Sequence, residues 1–255
     1  MTVSPYENDR VVNEYLLFHY GAAGEILPFP FGPRDALDFA VRCVTECAHP
    51  DTLPANPRAL DLGCAVGRSS FELSRHCDDV VGIDYSHRFI EAAKTLQRDR
   101  EIVCERIDEG ELTTRLKFPL PAGVRPECVS FRHGDAENLP EGLGEFDLVL
   151  MANLIDRLKY PRRCLDRLPG LVRPGGRLVI TSPYTWLTEF TAKENWLGGR
   201  YVGDRAVSTN AALKDHLKSG FDFHDRRDLP FLIREHSRKY QWSVAEATVW
   251  IRRST

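Results

Sequence analysis

No CxxC pair occurs anywhere in the 255 residues, although seven cysteines lie at 43, 47, 64, 77, 104, 128 and 164. An odd, scattered set argues against a disulfide framework. Cys43 and Cys47 stand four apart, yet no His or Cys cluster supplies the other half of a metal site, so reduced thiols and no metal are expected. Long apolar runs are also missing. None approaches the roughly 18 residues a membrane span needs, and the N-terminal MTVSPYENDR lacks the charged-then-apolar order of a signal peptide. Dense Lys/Arg blocks are absent too. Lys and Arg total 34 against 37 Asp and Glu, a net charge of −3, which argues against neutralising nucleic-acid phosphates. There is no internal repeat and no low-complexity tract. These absences point to a cytoplasmic protein with a small-molecule partner.

What is present suits one large α/β core, since 42% of residues are hydrophobic and single cores grow to about this length. Ser4-Pro5-Tyr6-Glu7 predicts a capped helix start, with Val11, Val12, Tyr15, Leu16 and Phe18 on one side and a stop at Gly21. A proline- and glycine-rich loop follows to Pro33. A second helix is predicted over 34–48 from Leu37, Ala40, Val41 and Val44. Strand and helix then alternate: strand 58–62, a glycine turn, a helix to about 76, strand 79–84 (DVVGID) and a helix over 86–98. VSFRHGDAENL, FDLVLMANL and GGRLVITSPY supply three more strands, with a helix over 161–168 before the last. FDFHDRRDLPFLI and WSVAEATVWIRR are close enough in sequence to pair antiparallel.

Such alternation predicts an α/β fold with right-handed crossovers. The expected architecture is Rossmann-like: a mostly parallel seven-stranded sheet with an antiparallel C-terminal strand, helices on both faces and an N-terminal helical prefix. A single domain over 1–255 is expected, with a cap at 1–50, a hairpin insertion at 99–127 and a substrate lid at 183–205.

The turn reads LDLGCAVGRSSFEL over 60–73. A pyrophosphate binder wants G-x-G-x-x-G and no nearby anion, but Ala65 stands in the middle and Asp61 sits on the strand before it. A carboxylate there repels pyrophosphate and attracts an ammonium, which favours S-adenosylmethionine (SAM) over NAD. Asp84 ends the second strand, where a carboxylate accepts ribose hydroxyls, with Tyr85 beside it. Gly63 and Gly67 carry the conformational demand, and Ala65 is accommodated if its φ is negative. The order Asp61, Gly63, Gly67, Asp84 and then Asp135-Ala136 resembles the class I methyltransferases over roughly 58–252. That resemblance implies Asp135 and Ala136 against the adenine edge, and S-adenosylhomocysteine as the spent cofactor.

A narrower resemblance rests on PYENDRVVNEYLLFHYG, LPFPFGPRDALDFAVRC, VVGIDYSHRFI, RIDEGELTTRL and SPYTWLTEFTAKENWLGG together with the turn. These segments are similar to the methyltransferase of ovothiol biosynthesis, often the C-terminal part of a fused 5-histidylcysteine sulfoxide synthase. The resemblance implies N-methylation of the imidazole of 5-thiohistidine (4-mercaptohistidine) to ovothiol A. It also implies that this chain is free-standing and acts with a separate sulfoxide synthase and C–S lyase.

In-line methyl transfer is mostly alignment and desolvation, so the site residues are those able to orient a small zwitterion. Asn153 and Asp156 follow the fourth strand; they are catalytic candidates or strand-end caps, and Asn153 also faces the cofactor. Tyr184, Trp186, Glu189, Asn195 and Trp196 follow the fifth strand as lid residues. Tyr184 and Glu189 are catalytic candidates, and Tyr184, Trp186, Asn195 and Trp196 are candidates for holding substrate. Tyr15, His19 and Tyr20 on the prefix helix are placed to close the pocket, with His19 a ligand, a base or a structural residue. Arg68 opens the helix after the turn, either meeting a carboxylate of the substrate or of the cofactor's methionine, or facing solvent. Cys64 reads as a buried filler. Methylation of another small amine, thiol or carboxylate, SAM binding without turnover, and NAD chemistry remain rival readings.

Overall fold

The computed structural model describes residues 5–254. A 3-10 turn over Pro5–Glu7 precedes α1 (Asp9–Tyr20). The start predicted at Ser4 lies outside the described residues. Asn8 is the cap instead, its side chain accepting the Arg10 amide at 2.8 Å, and Asn caps as well as Ser. Gly21 ends the helix as expected: its amide bonds the Leu17 carbonyl, and a Cβ there would lie 2.6 Å from that oxygen. One turn, α2 (Ala23–Ile26), interrupts the following loop.

The helix predicted over 34–48 is broken into a 3-10 turn at Arg34–Ala36, α3 (Phe39–Arg42) and a π-helical turn at Cys43–Ala48. Asp38 takes a left-handed φ of 55° between the first two pieces, and a continuous right-handed helix cannot pass through that conformation.

The alternation then runs β1 (Arg58–Leu62), α4 (Arg68–Leu73), β2 (Asp79–Asp84), α5 (His87–Asp99), β3 (Glu101–Glu109), β4 (Leu112–Pro119), β5 (Val129–His133), β6 (Phe146–Ala152), α6 (Pro161–Arg167) and β7 (Val172–Ser182). It closes with β8 (Arg200–Val202), β9 (Arg205–Val207), α7 (Thr209–Leu217), β10 (Phe221–His236) and β11 (Lys239–Arg252). Seven strands form one sheet in the order β10-β11-β7-β6-β1-β2-β5. Only β11 in that sheet runs against its neighbours. This is the expected Rossmann-like sheet.

β1 leads outward to β2 and β5, and the chain then returns to β6 on the other side. The order reverses between β1 and β6, which is where open parallel sheets bind ligands. β1 is buried from Ala59 to Leu62, as a strand covered on both faces must be. Asp61 is the one charge in that run. Phe71, Leu96 and Phe131 pack one face of the sheet, and Met151, Leu165 and Trp250 pack the other.

The predicted hairpin is β3–β4, a separate two-stranded sheet. It braces α1: the Glu105 amide donates to Asn13 Oδ1 at 2.9 Å, and Phe18 of α1 meets Phe231 of β10 at 6.2 Å between ring centroids. The prefix is thereby keyed to both the hairpin and the C-terminal ribbon. Helix α7 and the β8–β9 hairpin were not legible as elements. Six of the seven cysteines are buried, and burial pushes their thiols upward, Cys47 to about 11 and Cys77, Cys104 and Cys164 to about 12.

Candidate active site

The turn after β1 has three left-handed residues, Gly63 at φ 80°, Ala65 at 47° and Gly67 at 85°. The expectation of a negative φ at Ala65 is therefore corrected. Its left-handed conformation goes with an amide that donates to Asp84 Oδ2 at 2.8 Å, so a local backbone cost is held by that contact. Gly67 has no such freedom to change, because a Cβ there would lie 2.6 Å from Phe131 Cζ. The Gly63 and Cys64 amides both donate to the Ile83 carbonyl, tying the turn to the end of β2.

Two carboxylates flank this turn. Asp84 accepts the Ala65 amide on Oδ2 and the Ser86 amide on Oδ1, leaving lone pairs on each oxygen for a diol. Burial pushes it up to about 6, against the pull of those amides. Asp61 is 1% exposed. Ser70 donates to its Oδ2 at 2.6 Å, and its Oδ1 is buried without a partner among the described residues. Burial, helped by the charge of Asp84, raises Asp61 to about 7. A buried, unsatisfied carboxylate oxygen is costly and marks a place for a donor. A ribose diol and an ammonium meet both needs, which is the donor pattern of S-adenosylmethionine.

Asp135 is turned into its own loop, accepting the Glu137 amide at 2.8 Å, and Ala136 is buried beside it. Tyr85 lies at the rim, 62% exposed, its carbonyl bonded to His133. Arg68 is paired with Glu72 at 2.9 Å on α4 and is mostly covered.

Across the switch point, Asn153 takes φ 51° at the end of β6. Thr181 Oγ1 accepts its amide and donates to its Oδ1 at 3.0 Å, which orients Nδ2 as a donor. Asp156 is fully buried, its carboxyl raised by burial. Oδ2 accepts from Thr185 and Arg157 and Ser182 also supports the carboxyl, while Oδ1 is sealed with no partner among the described residues.

The N-terminal segment reaches this wall. Arg157 and Tyr15 each donate to the Tyr6 hydroxyl, and the Tyr6 ring stacks on Phe190 at 6.2 Å. Ser86 donates to the Tyr6 carbonyl at 2.9 Å. Tyr6, Arg157 and Phe190 were not among the sequence candidates. The only signal was adjacency: Arg157 follows Asp156, and Phe190 lies in the aromatic lid.

α1 places its candidates over the turn, where Tyr20 donates to the Val66 carbonyl at 2.8 Å. His19 lies beside Tyr15 and Phe18, and its Nδ1 is sealed from solvent without a partner among the described residues. Burial, reinforced by Arg68, lowers it to about 3. A ring that neutral is a weak proton acceptor at neutral pH and serves better as a hydrogen-bonding group.

The lid residues divide. Tyr184 takes φ 54°, and its hydroxyl donates to Glu246 on β11 at 2.8 Å. Trp186 is 8% exposed, bonded to Thr209 and stacked near Trp196 at 6.3 Å. Trp196 donates to the Thr191 carbonyl and Asn195 to that of Lys159. These contacts build the lid's own frame. Glu189 is exposed. The site thus gathers Tyr6, Tyr15, Asp84, Asp156, Arg157 and Phe190, while Tyr184 and Trp186 are engaged on the α7 and β11 side.

Residues 60–180 match a family model described as a methyltransferase domain. A ubiquinone biosynthesis O-methyltransferase from Coxiella burnetii is 23% identical over 123 residues, covering 48% of this chain and 42% of that protein. This chain thus spans under half the length of that relative. A demethylmenaquinone methyltransferase from Beutenbergia cavernae is 26% identical over 211 residues, covering 79% of this chain and 75% of that one. The solved N-methyltransferase NodS from Bradyrhizobium japonicum, in complex with S-adenosyl-L-homocysteine, superposes with a TM-score of 0.51 at 16% identity, covering 84% of each chain. The fold is that of the class I SAM-dependent methyltransferases. NodS holds S-adenosyl-L-homocysteine in that structure, and the open acceptor positions of Asp61 and Asp84 in this chain are of the kind that the ammonium and ribose of such a ligand take up.

Proposed function

We propose that this chain transfers a methyl group from S-adenosylmethionine to an imidazole nitrogen of 5-thiohistidine, giving ovothiol A. The observation that carries the reading is the Asp156 carboxylate, 0% exposed with Oδ1 unpartnered, on a wall shared with the Tyr6, Tyr15 and Phe190 rings. A small aromatic ring with an N–H to donate suits that wall. The similarity of the prefix, hairpin and lid segments to the ovothiol methyltransferase supports the same substrate.

Bound S-adenosylmethionine supplies an electrophilic methyl on sulfur. Asp61 pairs with its ammonium and Asp84 with its ribose, fixing its position. Asp156 Oδ1 accepts one ring N–H of the substrate and so orients the other nitrogen, whose lone pair is the nucleophile. The softer thiolate must be kept out of line, and Asn153 Nδ2 is a donor able to hold it. Tyr6 and Phe190 exclude water from the reacting groups.

A second reading follows the names of the relatives: O-methylation of a quinone precursor. The buried carboxyl of Asp156 and the half-buried guanidinium of Arg157 favour a small polar substrate over an apolar one. The test is to incubate purified protein with S-adenosylmethionine and 5-thiohistidine and assign the product by NMR. N-methyl product supports the proposal; S-methyl product or none overturns it.

A further inference from the structure

We infer that Arg157 is the specificity-determining anchor for the α-carboxylate of an amino-acid substrate. This deepens the proposed function and rests on it. Arg157 sits at the mouth of the site, its side chain 26% exposed. Its guanidinium lies 5.0 Å from the Phe190 ring centroid. Nη1 alone meets the Asp156 carbonyl at 3.0 Å, Asp156 Oδ2 at 3.1 Å and the Thr185 carbonyl at 3.0 Å.

A guanidinium has five N–H donors in a fixed fork. Among the described residues Nη1 accounts for two of them and the Tyr6 hydroxyl for a further one, which leaves two N–H groups on a guanidinium that Phe190 and Asp156 hold in place. Two N–H groups in one plane are what a carboxylate binds bidentately.

The unpartnered Oδ1 of the neighbouring residue is the second, independent observation. Asp156 offers a buried acceptor and Arg157 a positive fork from consecutive positions, so one ligand carrying an N–H and a carboxylate satisfies both. A heteroaromatic amino acid has these groups; its decarboxylated amine lacks the second. Tyr6 and Thr185 join the anchor to the cofactor shelf at Ser86 and to the lid.

The experiment compares kcat/KM for 5-thiohistidine and its decarboxylated analogue in the wild type, Arg157→Lys and Arg157→Gln, with SAM binding followed by calorimetry. Charge-assisted hydrogen bonds to a carboxylate imply that the wild type prefers the amino acid about 10- to 100-fold. Arg157→Gln collapses that ratio toward unity, Arg157→Lys restores part of it, and SAM affinity is unchanged. If Arg157 only tethers the lid, the variants lower both substrates alike and the ratio survives, which overturns the anchor. Equal use of both substrates by the wild type overturns it as well, leaving the proposed reaction intact. Methylation of neither overturns the reaction itself, and the anchor with it.

Discussion

The backbone amide of Ala65 donates to Asp84 Oδ2 at 2.8 Å, so a left-handed alanine in the first turn holds the carboxylate that ends the second strand. Left-handed backbone costs a non-glycine residue about 1–2 kcal/mol, while glycine loses about 0.4–1 kcal/mol through the unfolded chain. Ala65→Gly is expected to raise the denaturant midpoint slightly, by less than ~1 kcal/mol, with SAM affinity within a few fold. A large gain in affinity would mean that alanine compromises the native turn.

Gly67 offers the opposite case. It has φ 85° and Phe131 Cζ 2.6 Å from any added Cβ, so Gly67→Ala meets both backbone strain and an unyielding aromatic edge. A loss of about 2–4 kcal/mol in urea unfolding is expected. Wild-type stability in this variant would refute the close-packing account.

Asp61 and Asp84 give a pH prediction. Burial raises them to about 7 and about 6 from an ordinary 3.8, so the folded protein holds protons that the unfolded chain has released. Stability from this source is complete below the unfolded value and is lost as pH rises through about 6 to 7. In the proposed pairing the cofactor's ammonium favours the ionised form of Asp61, so SAM affinity is expected to rise over the same interval and binding near pH 6 to release protons. Titration calorimetry in buffers of different ionisation enthalpy measures this release. Asp61→Asn should weaken binding and reduce it; release unchanged in that variant would remove Asp61 from the cofactor site.

Tyr184 provides a contrast between frame and chemistry. Its hydroxyl is bound to Glu246, which Arg226 also reaches at 3.2 Å. Tyr184→Phe is expected to cost about 0.5–1.5 kcal/mol of stability while kcat stays within a few fold. A fall in kcat of a hundredfold or more, with stability kept, would return Tyr184 to the reacting groups.

The sheet was legible because β1, β2, β6 and β7 each carry a short, largely apolar stretch bounded by turn residues, and that pattern depends on local sequence. The places of Asp61 near the end of β1 and Asp84 at the end of β2 were legible for the same reason. The conformation of Ala65 was not, because it depends on Asp84, nineteen positions away. Tyr6 and Arg157 meet only once the prefix crosses α5 and the lid folds back. Neither residue carries a local signal of that approach, and the break at Asp38 likewise interrupts a sequence with good helical spacing.

The buried cysteines have a consequence for handling a thiol. Disulfide exchange needs an accessible thiolate, and a protein proposed to hold a thiolate substrate exposes its own cysteines to mixed-disulfide capture. Six of its seven thiols are sealed in the core, and those six are held protonated by burial. Only Cys128, in the turn just before β5, is partly accessible. Oxidised substrate added in excess is therefore expected to mark that one position and leave the glycine turn, with Cys64 inside it, chemically untouched.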